Sequence, residues 1–142
     1  MCWKFRVLLL TNLAMASPSA AQVTETPIAP FALSGQLEVT RFTDGDSFRS
    51  GRLKIRLFGI DAPELKQQCE TNYGELWPCG FVARDAIRKL VNTDRKLNCY
   101  LRDVDRYGRL VMQCFADGQD IAAALVDQGL ALAYRKFSTA YA

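Results

Sequence analysis

Five short alternating strands with helices inserted late predict a mainly β, α+β domain, arranged as a five-stranded OB-fold Greek-key barrel with two or more packed helices. Three observations carry this. Strand-length segments alternate apolar with polar residues, turn signals recur between them (Asp44-Gly45, Ser50-Gly51, Asp117-Gly118), and helical periodicity is confined to residues 81–91 and 121–128. The chain has 142 residues, 49% apolar and 23% charged, which suffices for one domain with a real core, and it holds no repeat or low-complexity tract. It contains no histidine. That excludes Ser-His-Asp and Cys-His nucleophiles and any imidazole base, so hydrolysis here must use carboxylates, a hard metal ion or both.

Residues 1–21 read as an export signal rather than as part of the fold. Lys4 and Arg6 precede the apolar run Val7–Ala16, Pro18 breaks it, and Ser19-Ala20-Ala21 offers small residues for cleavage before Gln22, with a cut after Ala16 as the alternative. Ten helical residues reach roughly 15 Å, about half of a bilayer's hydrocarbon core. The mature chain is therefore expected to be periplasmic or secreted, without stable membrane association. Losing Lys4 and Arg6 lowers the formal charge from +3 to +1, which leaves no overall basic field. Polyanion binding would fall to two clusters, Arg49/Arg52/Lys54/Arg56 and Arg102/Arg106/Arg109, whose simpler reading is a solvated strand face. Residues 22–35, with Pro27 and Pro30, read as a flexible leader, and 36–142 as the domain.

Within the domain, Gln36–Arg41 alternates as a first strand, with Leu37 and Val39 against Glu38 and Thr40. Phe48 opens a second strand after the Asp44-Gly45 turn. Leu53–Ile60 forms a third, with Leu53, Ile55 and Leu57 on one face and Lys54 and Arg56 on the other; Pro63 helps to stop it. Phe81–Val91 has the period of a helix with Val82, Ala86, Ile87 and Leu90 inward. Leu97–Val104 and Leu110–Phe115 form a hairpin. Asp120 is placed to cap a short helix, Ile121–Gln128, ended by Gly129, and Leu130–Tyr134 supplies a last strand.

Export leaves four cysteines, Cys69, Cys79, Cys99 and Cys114, an even number that favours two disulfides. Residues paired across a hairpin share a constant sum of residue numbers, which a turn centred on Arg106-Tyr107 sets at 213; Cys99 and Cys114 meet it. Cys69 and Cys79 then pair across a short loop. A thiolate zinc site competes less well, because no C-x-x-C spacing occurs.

Chemistry concentrates in three segments. Asp44-Gly45-Asp46-Ser47 sets two acids about a turn and lacks the acid spacing of an EF-hand loop. Arg56-Leu-Phe-Gly-Ile-Asp61-Ala-Pro-Glu64 sets a guanidinium on a strand before two carboxylates on a proline-stiffened turn, which could hold a phosphate beside a metal ion. Asp105-Arg106-Tyr107-Gly108-Arg109 occupies the hairpin turn. Each is weak alone; their order and spacing together are specific.

On these three motifs, with Ala124–Ala131 resembling a helix before a last strand, the chain from about Leu37 to Tyr141 resembles the staphylococcal-nuclease (thermonuclease) family, in its exported, cysteine-containing bacterial form. The resemblance implies a calcium-dependent, largely sequence-nonspecific nuclease acting on DNA and RNA, as a monomer. Carried over by position, Asp46 and Asp61 would ligate calcium with the backbone carbonyl of Ala62. Glu64 would activate or orient the attacking water, and Arg56 and Arg109 would grip the scissile phosphate. Arg106 and Tyr107 would contact a terminal phosphate, and Tyr134 would pack on the nucleotide. Family members usually continue past the last strand into a further helix and a segment that packs on the barrel. The chain stops at Ala142, so that helix is expected to be missing, a loss of several kcal/mol that disulfides worth roughly 2–4 kcal/mol each would offset. The competing readings are a non-catalytic OB module binding single-stranded nucleic acid or protein, which has no need of Asp46, Asp61 and Glu64 together, and a purely structural exported domain.

Overall fold

The computed structural model describes residues 32–35, 37–91, 96–136 and 138–142. The export signal and the leader up to residue 31 lie outside the described residues. In chain order the elements are β1 (Ala32–Gly35), β2 (Arg41–Phe42), β3 (Ser47–Ser50), β4 (Leu53–Leu57), β5 (Ile60–Asp61), β6 (Cys69–Glu70), β7 (Leu76–Trp77), α1 (Cys79–Leu90), β8 (Leu97–Val104), β9 (Leu110–Ala116), β10 (Gln119–Asp120), α2 (Ile121–Asp127) and β11 (Leu132–Ala133). The domain is thus mainly β with two helices, as predicted. Its main sheet runs β1-β8-β9-β4-β3-β2, with β10 added to β9, while β5/β11 and β6/β7 form separate two-stranded pairs. All pairings are antiparallel except β4 with β9. The sheet is an open path from β1 to β2 among the described residues, rather than the closed five-stranded barrel expected.

Two boundaries differ from the sequence reading. Ala32–Gly35, expected in the flexible leader, pairs with Leu97–Tyr100 of β8; ladder bonds along an open sheet edge are made by backbone, which side-chain patterning does not report. The strand expected over Gln36–Arg41 shrinks to β2. Leu37 and Val39 still pack against the core, so their alternation records burial on one side without a ladder.

The core is made by Phe48, Ile55, Leu57, Ile60, Ile87, Leu97, Met112, Ile121 and Leu125, all essentially inaccessible. Helix α1 starts two residues earlier than expected and buries Cys79, Gly80, Ala83 and Ile87. Val82, expected inward, is 40% exposed. The inward stripe runs instead through Cys79, Ala83 and Ile87, with Ala86 and Leu90 packed at its margin. Asp120 caps α2 by accepting from the Ala122 and Ala123 amides. The last strand is shorter than predicted: Leu132 and Ala133 pair with Asp61 and Ile60, and the Tyr134 amide adds one bond to the Gly59 carbonyl at 2.8 Å.

Both expected disulfides are present, Cys69–Cys79 and Cys99–Cys114. The constant sum of 213 holds from Leu97↔Ala116 to Leu101↔Met112. It then becomes 214, at Asp103↔Val111 and Val104↔Leu110, because Arg102 is one extra residue in β8. At the other end of the chain, Tyr141 packs on Gly59, where an added Cβ would lie 2.9 Å from its ring, and its hydroxyl donates to Asp120 over 2.9 Å.

Candidate active site

Asp46 is buried, 3% exposed, the most enclosed of the residues predicted for metal or substrate. Its turn is seated by Gly45, where a Cβ would come within 2.6 Å of Ala83 and 2.9 Å of Ala62; only glycine fits. One carboxylate oxygen accepts from the Ser47 hydroxyl at 2.6 Å and the other from the Ala62 amide at 3.1 Å. Arg56 Nη1 lies 2.9 Å from both. Burial pushes the Asp46 carboxyl up to about 6, against the pull of Arg56, the Ser47 hydroxyl and the Ala62 amide.

Arg56 stands on β4 between Ser47 of β3 and Val111 of β9. Its Nη2 reaches Asp61 Oδ1 at 2.9 Å and the Ile60 carbonyl at 3.3 Å. One guanidinium therefore joins the two predicted metal carboxylates. Burial works to lower its pKa, but Asp46 and Asp61 outweigh that and hold it above the ordinary arginine value. Asp61 is open to solvent, its side chain 62% exposed.

Glu64 follows Pro63 on a loop closed by the Gln67 amide donating to the Glu64 carbonyl at 2.8 Å. Helix α1 presses its first turn onto this loop: a Cβ on Gly80 would lie 1.8 Å from the Glu64 carbonyl oxygen. The Gly80 amide donates to the Gln67 carbonyl at 3.2 Å, and Cys79 is bonded to Cys69. Across from it, Asp105 organises the hairpin turn, accepting from the Tyr107 and Arg109 amides and from Arg109 Nε at 2.6 Å. Desolvation raises the Asp105 carboxyl, but these bonds outweigh it and hold it below the usual carboxylate range. Arg106 donates to the Tyr107 hydroxyl at 2.7 Å. The Arg106 and Arg109 guanidinium carbons lie 4.8 and 5.6 Å from the Tyr107 ring centroid.

An open cleft of about 1060 Å³ gathers these parts, with Arg56, Asp61, Glu64, Arg106, Tyr107, Arg109 and Tyr134 all on its wall. Asp46 and Ala62 stand behind Arg56 instead of lining it. The four cysteines lie off the cleft, where they fasten the loop and the hairpin. Sequence reasoning gave no functional role to the wall residues Phe58 and Lys136. Lys54 and Arg102 did belong to the two basic clusters; Arg49 and Arg52 of the same clusters are not on the cleft wall.

Among the described residues no three carboxylate or thiol side chains converge. The potential donors are two carboxylates bridged by Arg56, with the Ala62 peptide beside them. All-oxygen donors favour a hard cation such as calcium over zinc, so the residues fit the expected ion by donor chemistry.

The family profile described as Staphylococcal nuclease homologue matches residues 54–142, which takes in Arg56, Asp61, Glu64 and the Asp105–Arg109 turn and begins after Asp46. The chain is 34% identical over 90 residues to the succinoglycan biosynthesis protein ExoI of Rhizobium meliloti, covering 63% of this chain and 47% of that protein. It is 34% identical over 93 residues to the probable staphylococcal-like nuclease CAN1 of Oryza sativa subsp. japonica, covering 66% and 25%. It is also 34% identical over 106 residues to an uncharacterized endonuclease of Escherichia coli, covering 71% and 62%. The chain thus spans less than two thirds of the length of each of these relatives. With the match extending over most of the folded domain and the Arg56–Glu64 and Asp105–Arg109 segments meeting in one cleft, the chain belongs to the staphylococcal nuclease family.

Proposed function

We propose that the cleft hydrolyses phosphodiester bonds of DNA and RNA, with calcium and with little dependence on base sequence. The observation that supports this most is the meeting of Arg56, Asp61, Glu64 and Arg109, from two separate stretches of chain, on one open wall. Asp46 and Asp61, with the Ala62 carbonyl, would hold the calcium, whose contribution when bound is to polarise the phosphodiester and offset its charge. Glu64 orients the water and takes its proton as it attacks phosphorus opposite the leaving oxygen. Arg56 and Arg109 donate to the phosphate oxygens that gain charge, and they stay ionised at any working pH. The Asp105 carboxylate fixes Arg109 through Nε, which directs the rest of the fork toward the substrate. Arg106 and Tyr107 take a terminal phosphate and Tyr134 packs on the nucleotide. Contacts to phosphate carry no base identity, hence the weak sequence preference. We further read the domain as an OB-type monomer exported by residues 1–21, in keeping with two disulfides; no helix among the described residues is long and apolar enough to cross a membrane.

The test is cleavage of supercoiled plasmid and single-stranded RNA by the oxidised protein, in calcium and in chelator, for wild type, Glu64→Gln and Arg109→Ala. Cutting that requires calcium and falls about 10²–10³-fold in Arg109→Ala, with a large fall in Glu64→Gln, is the expected result. A folded wild type that cuts neither substrate in any metal overturns the reading and leaves a nucleic-acid-binding module.

A further inference from the structure

The two disulfides differ in where they stand. Cys99–Cys114 joins β8 to β9, and both of its residues are wholly buried. Cys69–Cys79 closes the β6–β7 hairpin onto the start of α1; Cys79 is 1% exposed, but Cys69 is only half-buried. A thiol in solution therefore reaches Cys69 first. Attack there makes Cys79 the leaving group, and Cys79 is the first residue of α1, whose first turn carries no acid. The positive end of the helix stabilises a thiolate at that position, which speeds its departure. The same bond belongs to the set of contacts that seats Glu64. Glu64 is exposed, and its backbone is held by Gln67, whose amide donates to the Glu64 carbonyl at 2.8 Å and whose side-chain oxygen accepts from the Glu64 amide at 3.2 Å. Gln67 is joined to α1 by the Gly80 amide at 3.2 Å, and two residues further on Cys69 is joined to it covalently. Opening the bond leaves hydrogen bonds to hold the loop against the helix.

We propose that Cys69–Cys79 is a thiol-exchange site that switches the cleft, fast as the disulfide and slow as the dithiol, with a vicinal dithiol as the reductant. One thiolate of that reagent attacks the Cys69 sulfur; the Cys69–Cys79 bond breaks and its electron pair leaves on Cys79, which takes a proton. The second thiolate attacks the reagent sulfur now bonded to Cys69, which frees Cys69 to take a proton and leaves the reagent as a cyclic disulfide. Two electrons and two protons pass to the protein, and exchange with a disulfide in the reverse sense restores the bond. Such a protein is held back in a reducing compartment and released to work in an oxidising one. The effect on rate rests on the nuclease reading of the cleft; the loosening of the loop does not.

The experiment titrates the folded, oxidised protein with dithiothreitol. Aliquots are alkylated with iodoacetamide for peptide mapping, and the rest is assayed for plasmid nicking in calcium. Cys69 and Cys79 are expected to be alkylated at reductant levels that leave Cys99 and Cys114 bonded, with the far-ultraviolet spectrum unchanged. At that stage kcat should fall about tenfold to a hundredfold, as for a displaced member of a reacting set, with KM little changed, and oxidised glutathione should restore it. Cys99→Ala/Cys114→Ala should respond in the same way, whereas Cys69→Ser/Cys79→Ser should be slow from the start and indifferent to reductant. Hydrogen exchange at the Gln67 and Gly80 amides, followed without calcium, should speed up on reduction. Joint opening of both disulfides, or a spectrum lost when Cys69–Cys79 opens, overturns the proposal and makes the bond a folding staple. An undiminished nicking rate after that opening overturns the switch, as does unchanged amide exchange. An oxidised wild type that cuts nothing in calcium removes the nuclease reading instead, and faster amide exchange on reduction would still uphold the release of the loop.

Discussion

Replacing Gly80 with alanine probes the seat of Glu64. Early in a helix this change ordinarily stabilises by about 0.5–1 kcal/mol. Here its sign reverses. The added Cβ would lie 1.8 Å from the Glu64 carbonyl oxygen and 2.7 Å from that of Leu65, and opening the first contact to 3.0 Å takes about 1.2 Å of movement. Both obstacles are backbone, so no rotamer relieves them. Nor can α1 simply withdraw, because the adjacent Cys79 is bonded to Cys69 and the Gly80 amide to Gln67. Overpacking of this kind costs about 1–3 kcal/mol or more. The displacement falls on the backbone that carries Glu64, and a shift of about 1 Å in a positioned group can cost roughly 10²-fold in rate. The assay pairs urea unfolding with the initial rate of plasmid nicking in calcium. A midpoint equal to or above wild type would refute the close approach. A lowered midpoint with an undiminished rate would refute the link to Glu64 and leave only the packing.

Three further outcomes follow from the same structure. Asp120→Ala should lower stability by about 2–4 kcal/mol in urea unfolding, because the carboxylate both caps α2 and accepts from Gln113 and Tyr141; Asp120→Asn should recover part of it. Asp105 has its pKa depressed by folding, so its stabilisation is present above the unfolded carboxylate pKa and is lost as pH falls through the folded value. The difference in urea midpoint between wild type and Asp105→Asn should accordingly be largest at neutral pH and shrink as acidification protonates the folded carboxylate. Removing Cys99–Cys114 by a double change to alanine should cost about 2–4 kcal/mol, seen as a lower thermal midpoint, while Arg56, Glu64 and Arg109 stay assembled and calcium-dependent cutting persists below that midpoint.

What the sequence made legible was whatever lay within a few residues along the chain. The Asp120 cap, the Cys99–Cys114 pairing and the motif carrying Arg56, Asp61 and Glu64 are local patterns whose physics is complete in a short window. What escaped it depended on partners distant in sequence. Asp46 reads as an acid on a turn, and nothing nearby announces that Ala62 and α1 will enclose it and raise its pKa. Gly45 and Gly80 look like ordinary turn or helix residues until Ala83 and the Glu64 carbonyl arrive beside them. The strand at Ala32–Gly35 depends on an edge that β8 supplies. Phe58 reads as one more apolar residue within a motif until Arg102 is set over it, and that depends on a single extra residue in β8.

That extra residue gives the hairpin arm a parity. Up to Leu101 the odd-numbered residues of β8 share a face with the even-numbered residues of β9; beyond Arg102 it is Val104 that sits with Leu110, and Asp103 with Val111. The arm beyond the Cys99–Cys114 staple can therefore gain or lose residues in β8 by twos and keep Arg106 and Tyr107 turned to the cleft. A change of one that keeps the bulge at Arg102 would hand the cleft the opposite set of side chains. Length variation in this arm among related proteins is thus expected to come in even steps, or in single steps paired with a bulge gained or lost nearby.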